Sequence, residues 1–296
     1  MLAVAASLTP LPGLASAAPG VGGVIGWGSI DFGVNPVPPS VASGISAISA
    51  GSLDVLALKN GGVIVWGDNN FGQTEVPAAA TSGVSQISAG WAHALALKNG
   101  KALAWGNDWY GQSEVPAAAT SGVIAVATSA LHNLALKQGG SVLSWGARTD
   151  VPAAASAGVT AIAAGGDHSL ALKNGGVLAW GNNTYGQASV PAAATSGVTA
   201  ISAGYQHSLA LKNGSVLAWG RNNHEQATVP PEAASGVIGI EAGWYHNLAF
   251  KADGRYVVWG SDASQESDPF TCGPVFGVSA GDRSTFILKP DPTAPC

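Results

Sequence analysis

The sequence predicts an all-β protein folded as one seven-bladed propeller. Three observations carry that prediction: a dipeptide recurring about every 39 residues, units built of short strands, and two chain ends that each hold part of one unit. The dipeptide is Trp-Gly, at Trp27, Trp66, Trp105, Trp145, Trp180, Trp219 and Trp259, with steps of 39, 39, 40, 35, 39 and 40 residues. A second phrase accompanies it: small-Ala-Gly, three residues, then an apolar stretch ending in Lys, as in SAGWAHALALK (88–98) and SAGYQHSLALK (202–212). With the variant ATSALHNLALK (127–137) it occurs seven times.

In chain order, each unit reads as four short strands, VTAISAG, HSLALK, GVLAWG and QASVP, between Gly-rich turns. In HSLALK, Leu209 and Leu211 point one way while Ser208 and Ala210 point the other; in the matching SVLAWG, Leu217 and Trp219 oppose Val216 and Ala218. Both faces are apolar, one large and one small, so each sheet lies between two others, which radial stacking around an axis provides. The segment GGVIGWG (22–28) has a Trp-Gly strand with no Ala-Gly phrase before it. SAGDRSTFILK (279–289) has the phrase with no Trp-Gly strand after it, so 22–28 completes the C-terminal half-blade and closes the ring.

The rest of the chain is read as a leader, residues 1–20, followed by a single domain, 21–296. Residues 1–17 are small and apolar and end in Ala15-Ser16-Ala17, which fits an export signal and a secreted protein, although no Lys or Arg precedes Lys59; the alternative is a disordered Ala/Pro leader. No other stretch approaches the length of a membrane span. Twelve Lys plus Arg against 17 Asp plus Glu give a formal charge of −5 with no basic cluster, which argues against nucleic acid as a partner. Cys272 and Cys296 sit in no metal-binding spacing, and no metal or cofactor is expected. In an oxidising compartment the two cysteines can clasp the Pro-rich tail, worth about 3 kcal/mol in the chain-entropy model; the alternative is two thiols. There is no GxSxG, HExxH, P-loop or Cys-His pair, so no catalytic residue is assigned and an enzyme is not expected. An enzyme would need perturbed carboxylates facing each other across the central channel.

Residues repeated in every blade are structural before they are anything else. The seven Trp of the dipeptides are expected between blades. His93, His132, His168, His207 and His246 share one repeat position with Asp54 and Ser284. One such group per blade sets successive rings too far apart to share an ion, so each is read as bonding its own turn.

Strand parity sorts the loops. KNGG turns and VPAAATSG connections fall on one face, here the lower, and hardly vary; loops after Ala-Gly and after Trp-Gly fall on the upper face and differ in every blade. Large aromatics and acids at these optional positions make the expected partner-binding set: Phe71, Trp91, Asp108, Trp109, Tyr110, Asp167, Tyr185, Tyr205, Trp244 and Tyr245, with Asp31 and Asp54 interleaved. Phe32, Phe71 and Tyr185 serve equally well as covers for loop backbone. The fourth Trp-Gly unit, WGARTDVP, is about four residues shorter than WGNNTYGQASVP and leaves a notch near Arg148.

The phrase GVTAISAGYQHSLALKNGSVLAWGRNN resembles the repeat of the regulator-of-chromosome-condensation family, which implies a seven-bladed propeller closed between chain ends. The short period, the VPAAATSGV connector, KNGKALAWG and the leader are similar to the secreted type II beta-lactamase inhibitory proteins of actinobacteria, over residues 21 to about 289. That resemblance implies a monomeric inhibitor that caps class A beta-lactamases, or related penicillin-binding enzymes, with loops of one face. Of the aromatics those inhibitors place just before the His position, Tyr245 is kept, whereas Ala92, Leu131, Asp167 and Gln206 are not; Trp91, Tyr205 and Trp244 stand one residue earlier. Phe71, Tyr110 and Tyr185 match aromatics allowed after Trp-Gly. The alternative function is a non-inhibitory cell-surface or wall scaffold that uses the same aromatics on carbohydrate.

Overall fold

The computed structural model describes residues 22–28, 31–261 and 275–290; the leader, Cys272 and Cys296 lie outside them. Seven antiparallel sheets of three strands follow one another along the chain. Blade 1 is Ile45–Ala50, Asp54–Lys59 and Gly62–Gly67, and blades 2 to 6 repeat it over 84–106, 123–146, 159–181, 198–220 and 237–260. Blade 7 is Gly277–Ala280 and Ser284–Lys289 with Gly23–Gly28 as its outer strand, Trp27 opposite Thr285, so the chain ends share one sheet as the half-units require.

Among the described residues the expected fourth strand does not form. The segment ending in Val190 joins no sheet; the Val190 N–H bonds locally to Ala188 O (3.2 Å), and Pro191, which has no N–H, caps a short 3-10 helix at Ala192–Ala194. Val190 still packs against the core between blades 4 and 5, so the apolar pattern of a strand is used without its ladder.

Packing between blades follows the two-faced pattern. Ala210, Leu217 and Trp219 join blade 4's Leu170 and Leu172, while Leu209, Leu211, Val216 and Ala218 meet blade 6's Ala249 and Trp259. Each Trp of the repeat thus leans on the preceding blade. Among the described residues, five of them donate Nε1–H to a backbone carbonyl seven residues after the previous Trp: Trp66 to Val34, Trp105 to Gln73, Trp145 to Gln112, Trp219 to Gln187 and Trp259 to Gln226, at 2.9 to 3.2 Å. Trp180 follows the shortened loop, which has no equivalent residue, and it is less buried than these five.

On the lower face, the Asn-Gly turns take left-handed backbone at both residues (Asn60 φ 51°, Gly61 φ 76°), the type I′ geometry that suits a two-residue hairpin. The Lys ending each LALK strand closes the same face: Lys98 Nζ donates to Ala79 O and Lys212 Nζ to Ala193 O, each 2.8 Å, on the 3-10 turn that enters the blade. These cations therefore cap carbonyls of the fold.

Candidate partner-binding face

The histidines sit beneath the upper loops, fully buried, and they do not bond their own turns as expected. Each Nε2 reaches the next blade: His93 to Asn133 Oδ1 (2.8 Å) and Thr128 Oγ1 (2.6 Å), His132 to Ser169 Oγ (2.9 Å), His168 to Ser208 Oγ (2.8 Å), His207 to Asn247 Oδ1 (2.6 Å) and His246 to Thr285 Oγ1 (3.0 Å). The network extends one step further, because Asn133 and Asn247 donate Nδ2–H, and Ser208 its Oγ–H, to the glutamine carbonyl that also receives the Trp indole. Asn247 Oδ1 is therefore the acceptor toward His207, which fixes that ring with its proton on Nε2. Burial lowers the histidines to about 4 (His93, His132, His207) or about 3 (His168, His246), so the ring is neutral at pH 7. The glycine of Ala-Gly makes room for it: a Cβ on Gly90 would lie 2.6 Å from the His93 ring and 2.6 Å from Ser129 O.

The sequence held a signal for this network. Where the slot is His, the residue facing it in the next blade is Asn, Ser or Thr; where it is Asp54 or Ser284, the corresponding residue is Ala94 or Val55. Asp54 is not on the surface, as the sequence suggested, but fully buried in the slot, and burial followed by the Asp68 charge pushes its carboxyl well above the usual range.

The same glutamines support the upper loops. Gln73, Gln112, Gln187 and Gln226 are buried, and their Oε1 atoms accept from the backbone N–H two residues earlier, at Phe71, Tyr110, Tyr185 and His224 (2.8 to 2.9 Å). One side chain thus ties the core of a blade to the loop that carries its variable aromatic. Sequence reasoning missed them, although their fixed spacing of seven from the Trp was visible.

The ten candidate residues do not form a single patch. On blades 1 and 2, Phe71, Trp91 and Trp109 pack together, with centroids 5.6 Å (Phe71–Trp91), 5.0 Å (Phe71–Trp109) and 6.1 Å (Trp91–Trp109). Trp109 remains 68% exposed and the neighbouring Tyr110 53%, while Asp108 accepts from Ser113 N (2.7 Å) and shapes that loop. Around blades 5 and 6, Tyr205 and Trp244 stack at 4.5 Å and 4°, and Tyr245 meets Tyr205, Trp244 and His224 edge-on at 5.9, 6.4 and 5.5 Å. Tyr185, 45% exposed, extends this group through Arg221, whose guanidinium lies 5.0 Å from its ring. Between the groups, Arg148 reaches across the notch to Asp167 (3.7 Å). These contacts join loops after Ala-Gly to loops after Trp-Gly, so both kinds lie on one face.

The channel along the axis is narrow, about 50 Å³, and is lined by small residues of the inner strands and by Glu241. Ser49, Ser88, Ser202 and Ser279 accept there from backbone N–H groups of the following blade at 2.8 to 3.0 Å. Glu241 is the single carboxyl among the lining residues, pushed up to about 8 by burial, and no second carboxylate among them faces it. Among the described residues, no group of three or more His, Cys, Asp or Glu is placed to hold a metal ion, and no helix is long and apolar enough to cross a membrane.

The fold is a closed seven-bladed propeller, and two of its repeats are similar to a known family. Residues 159–187 and 198–226 match the family model described as Regulator of chromosome condensation (RCC1) repeat. No curated protein matches the sequence. Among solved structures, Prp20p from Saccharomyces cerevisiae is similar at TM-score 0.71 and 17% identity, over 95% of this chain and 93% of that one. Human WBSCR16 follows at 0.69 and 20%, over 90% and 98%. The ectodomain of the Physcomitrella patens receptor kinase CR4 gives 0.69 and 23%, over 85% and 72%. At these identities the likeness is one of fold.

Proposed function

We propose that this chain is a secreted protein-binding propeller that caps class A beta-lactamases, or related penicillin-binding enzymes, through its upper face. The observation that carries the reading is the gathering of Trp91, Trp109, Tyr205, Trp244 and Tyr245 on one face, at positions where sister blades do without aromatics. Two aromatic groups flanking the Arg148–Asp167 pair form a surface of apolar anchors with a polar middle, and such anchors supply most of the affinity of a protein interface. Tyr205 and Trp244 cover each other's faces, which leaves less open ring surface for sugar stacking than a carbohydrate platform needs. Yeast Prp20p, which shares the fold, binds Gsp1p and histones, so a propeller of this kind serves protein recognition there. The enzyme class as target comes from the resemblance of the repeat, the connector and the leader.

The test is nitrocefin turnover by a panel of purified class A beta-lactamases at increasing concentrations of the purified protein. Stoichiometric, saturable inhibition is expected of at least one of them. Unchanged turnover across the panel retires the inhibitor and leaves the face as a surface for another protein.

A further inference from the structure

A cavity of about 450 Å³ opens on the upper face between blade 7 and blade 1, beside the first aromatic group. Three different loops bring a carboxylate to its wall: Asp31, Asp68 and Asp282. The one basic residue lining it, Arg283, is exposed, and among the described residues it makes no ion pair with Asp68 or Asp282. Phe32, Phe71 and Trp91 supply the apolar walls.

Two further observations point to an occupant. Ser52, only 7% exposed, lines the cavity with an Oγ that has no hydrogen-bond partner, and Asp282 Oδ1 is likewise buried and without one. Polar atoms buried without a partner are costly, and a ligand that bonds them recovers that cost. The cavity therefore asks for a positively charged group rich in donors. Among the described residues the carboxylates form no cluster able to hold a metal ion, so an inorganic cation does not meet the geometry. Asp68 is held in place by Asn70 Nδ2 (2.7 Å) and Gln73 Nε2 (3.0 Å), so it offers its charge from a fixed position. Flat aromatic walls beside several carboxylates suit a guanidinium, which stacks on rings and directs five N–H donors outward in one plane.

We infer that this cavity receives the guanidinium of an arginine side chain presented by the protein that docks on the upper face. The inference rests on the protein-binding reading of that face and adds to it the chemistry of one anchor.

The experiment titrates Nα-acetyl-arginine methylamide into the full-length protein and follows the indole N–H resonance of Trp91, assigned with Trp91→Phe. A saturable shift is expected, with none from the citrulline analogue, which keeps the shape and loses the charge. Asp282→Asn and, separately, Asp68→Asn should each weaken binding about tenfold, as removal of one partner of a close charge pair does. Equal response to arginine and citrulline, no response to either, or undiminished binding by both variants overturns the assignment, as does tighter binding of the lysine analogue. Beta-lactamase inhibition without arginine binding overturns this inference alone; arginine binding without inhibition supports it and retires only the enzyme target.

Discussion

The blade interfaces and the rim of the upper face use the same residue types in opposite ways. Trp219 is buried against blade 4 with its indole N–H on Gln187 O, whereas Trp109 is 68% exposed and rests against Phe71 and Trp91. His207 is enclosed and bonded to Asn247, whereas His224, in a rim loop, stands exposed against Tyr245. The interior copies appear at the same place in blade after blade; the rim copies appear once. In a repeat protein, what recurs is what stacking requires, and what departs from the repeat is free to recognise something else.

The largest consequence expected of the interior ring is its response to acid. Each of the five histidines is held at about 3 to 4 in the fold against 6.5 when unfolded. Between those values the unfolded chain binds more protons, so the part of the stability that depends on these rings is present above pH 6.5 and is lost as pH drops toward 4. Urea melts at pH 7, 6, 5 and 4.5 should show a steep loss of several kcal/mol. A flat profile in the parent protein would break the comparison at its centre.

Next in size is the exchange of tryptophans. Trp219→Ala should cost about 3–5 kcal/mol of stability by thermal or urea unfolding, as loss of a buried aromatic does. Trp109→Ala should stay within about 0.5 kcal/mol. On the rim the effect belongs to binding: Trp244→Ala with Tyr245→Ala should weaken a bound partner by more than about 2 kcal/mol, read as an inhibition or dissociation constant, with the melting temperature nearly unmoved. Equal binding by that double variant would take the second aromatic group out of the interface.

How far the sequence reached follows the same division. The period gave the blade number, the half-units at 22–28 and 279–289 gave the closure, and parity placed Trp91 and Phe71 on one face, where they are in fact 5.6 Å apart. Besides the loop-supporting glutamines, three features escaped. The segment before Val190 has a strand's alternation, but Pro191 and a local bond leave it out of the sheet, and periodicity does not register a missing N–H. The histidine partners lie 35 to 40 residues away, one blade on, so a reading confined to a single repeat assigned them to their own turns. The division of the aromatics into two groups required counting which blade each loop belongs to: the shortened loop at Arg148 and its pair with Asp167 lie between them.

A smaller effect tests the partner rule directly. Asn247→Val should cost about 1–3 kcal/mol, because it strands the buried Nε2–H of His207. Adding His207→Leu should recover much of that loss, since blades 7 and 1 already place Ser284 and Asp54 before apolar Val55 and Ala94. A double variant as costly as the two single changes together would show that the pair is not coupled.

The smallest effect lies on the axis and runs opposite to the histidines. Glu241 stands where four blades carry Ser49, Ser88, Ser202 and Ser279, and the fold holds its proton up to about 8 against 4.5 for the free side chain. Between those values the native state binds the extra proton, so the stabilisation is present at low pH and is lost as pH rises toward 8. Below pH 6.5 the five histidines outweigh it; above, the carboxyl is joined by Asp54 and Asp282, whose shifts have the same direction. Stability should therefore peak near pH 6.5 and decline by about 1–2 kcal/mol toward pH 8, less if water in the channel screens the charge. Glu241→Gln should flatten that decline and leave the acid limb as it was. If the decline survives the substitution unchanged, its source is another raised carboxyl, Asp54 in the histidine slot or Asp282 on the rim, and Asp54→Asn tells the two apart.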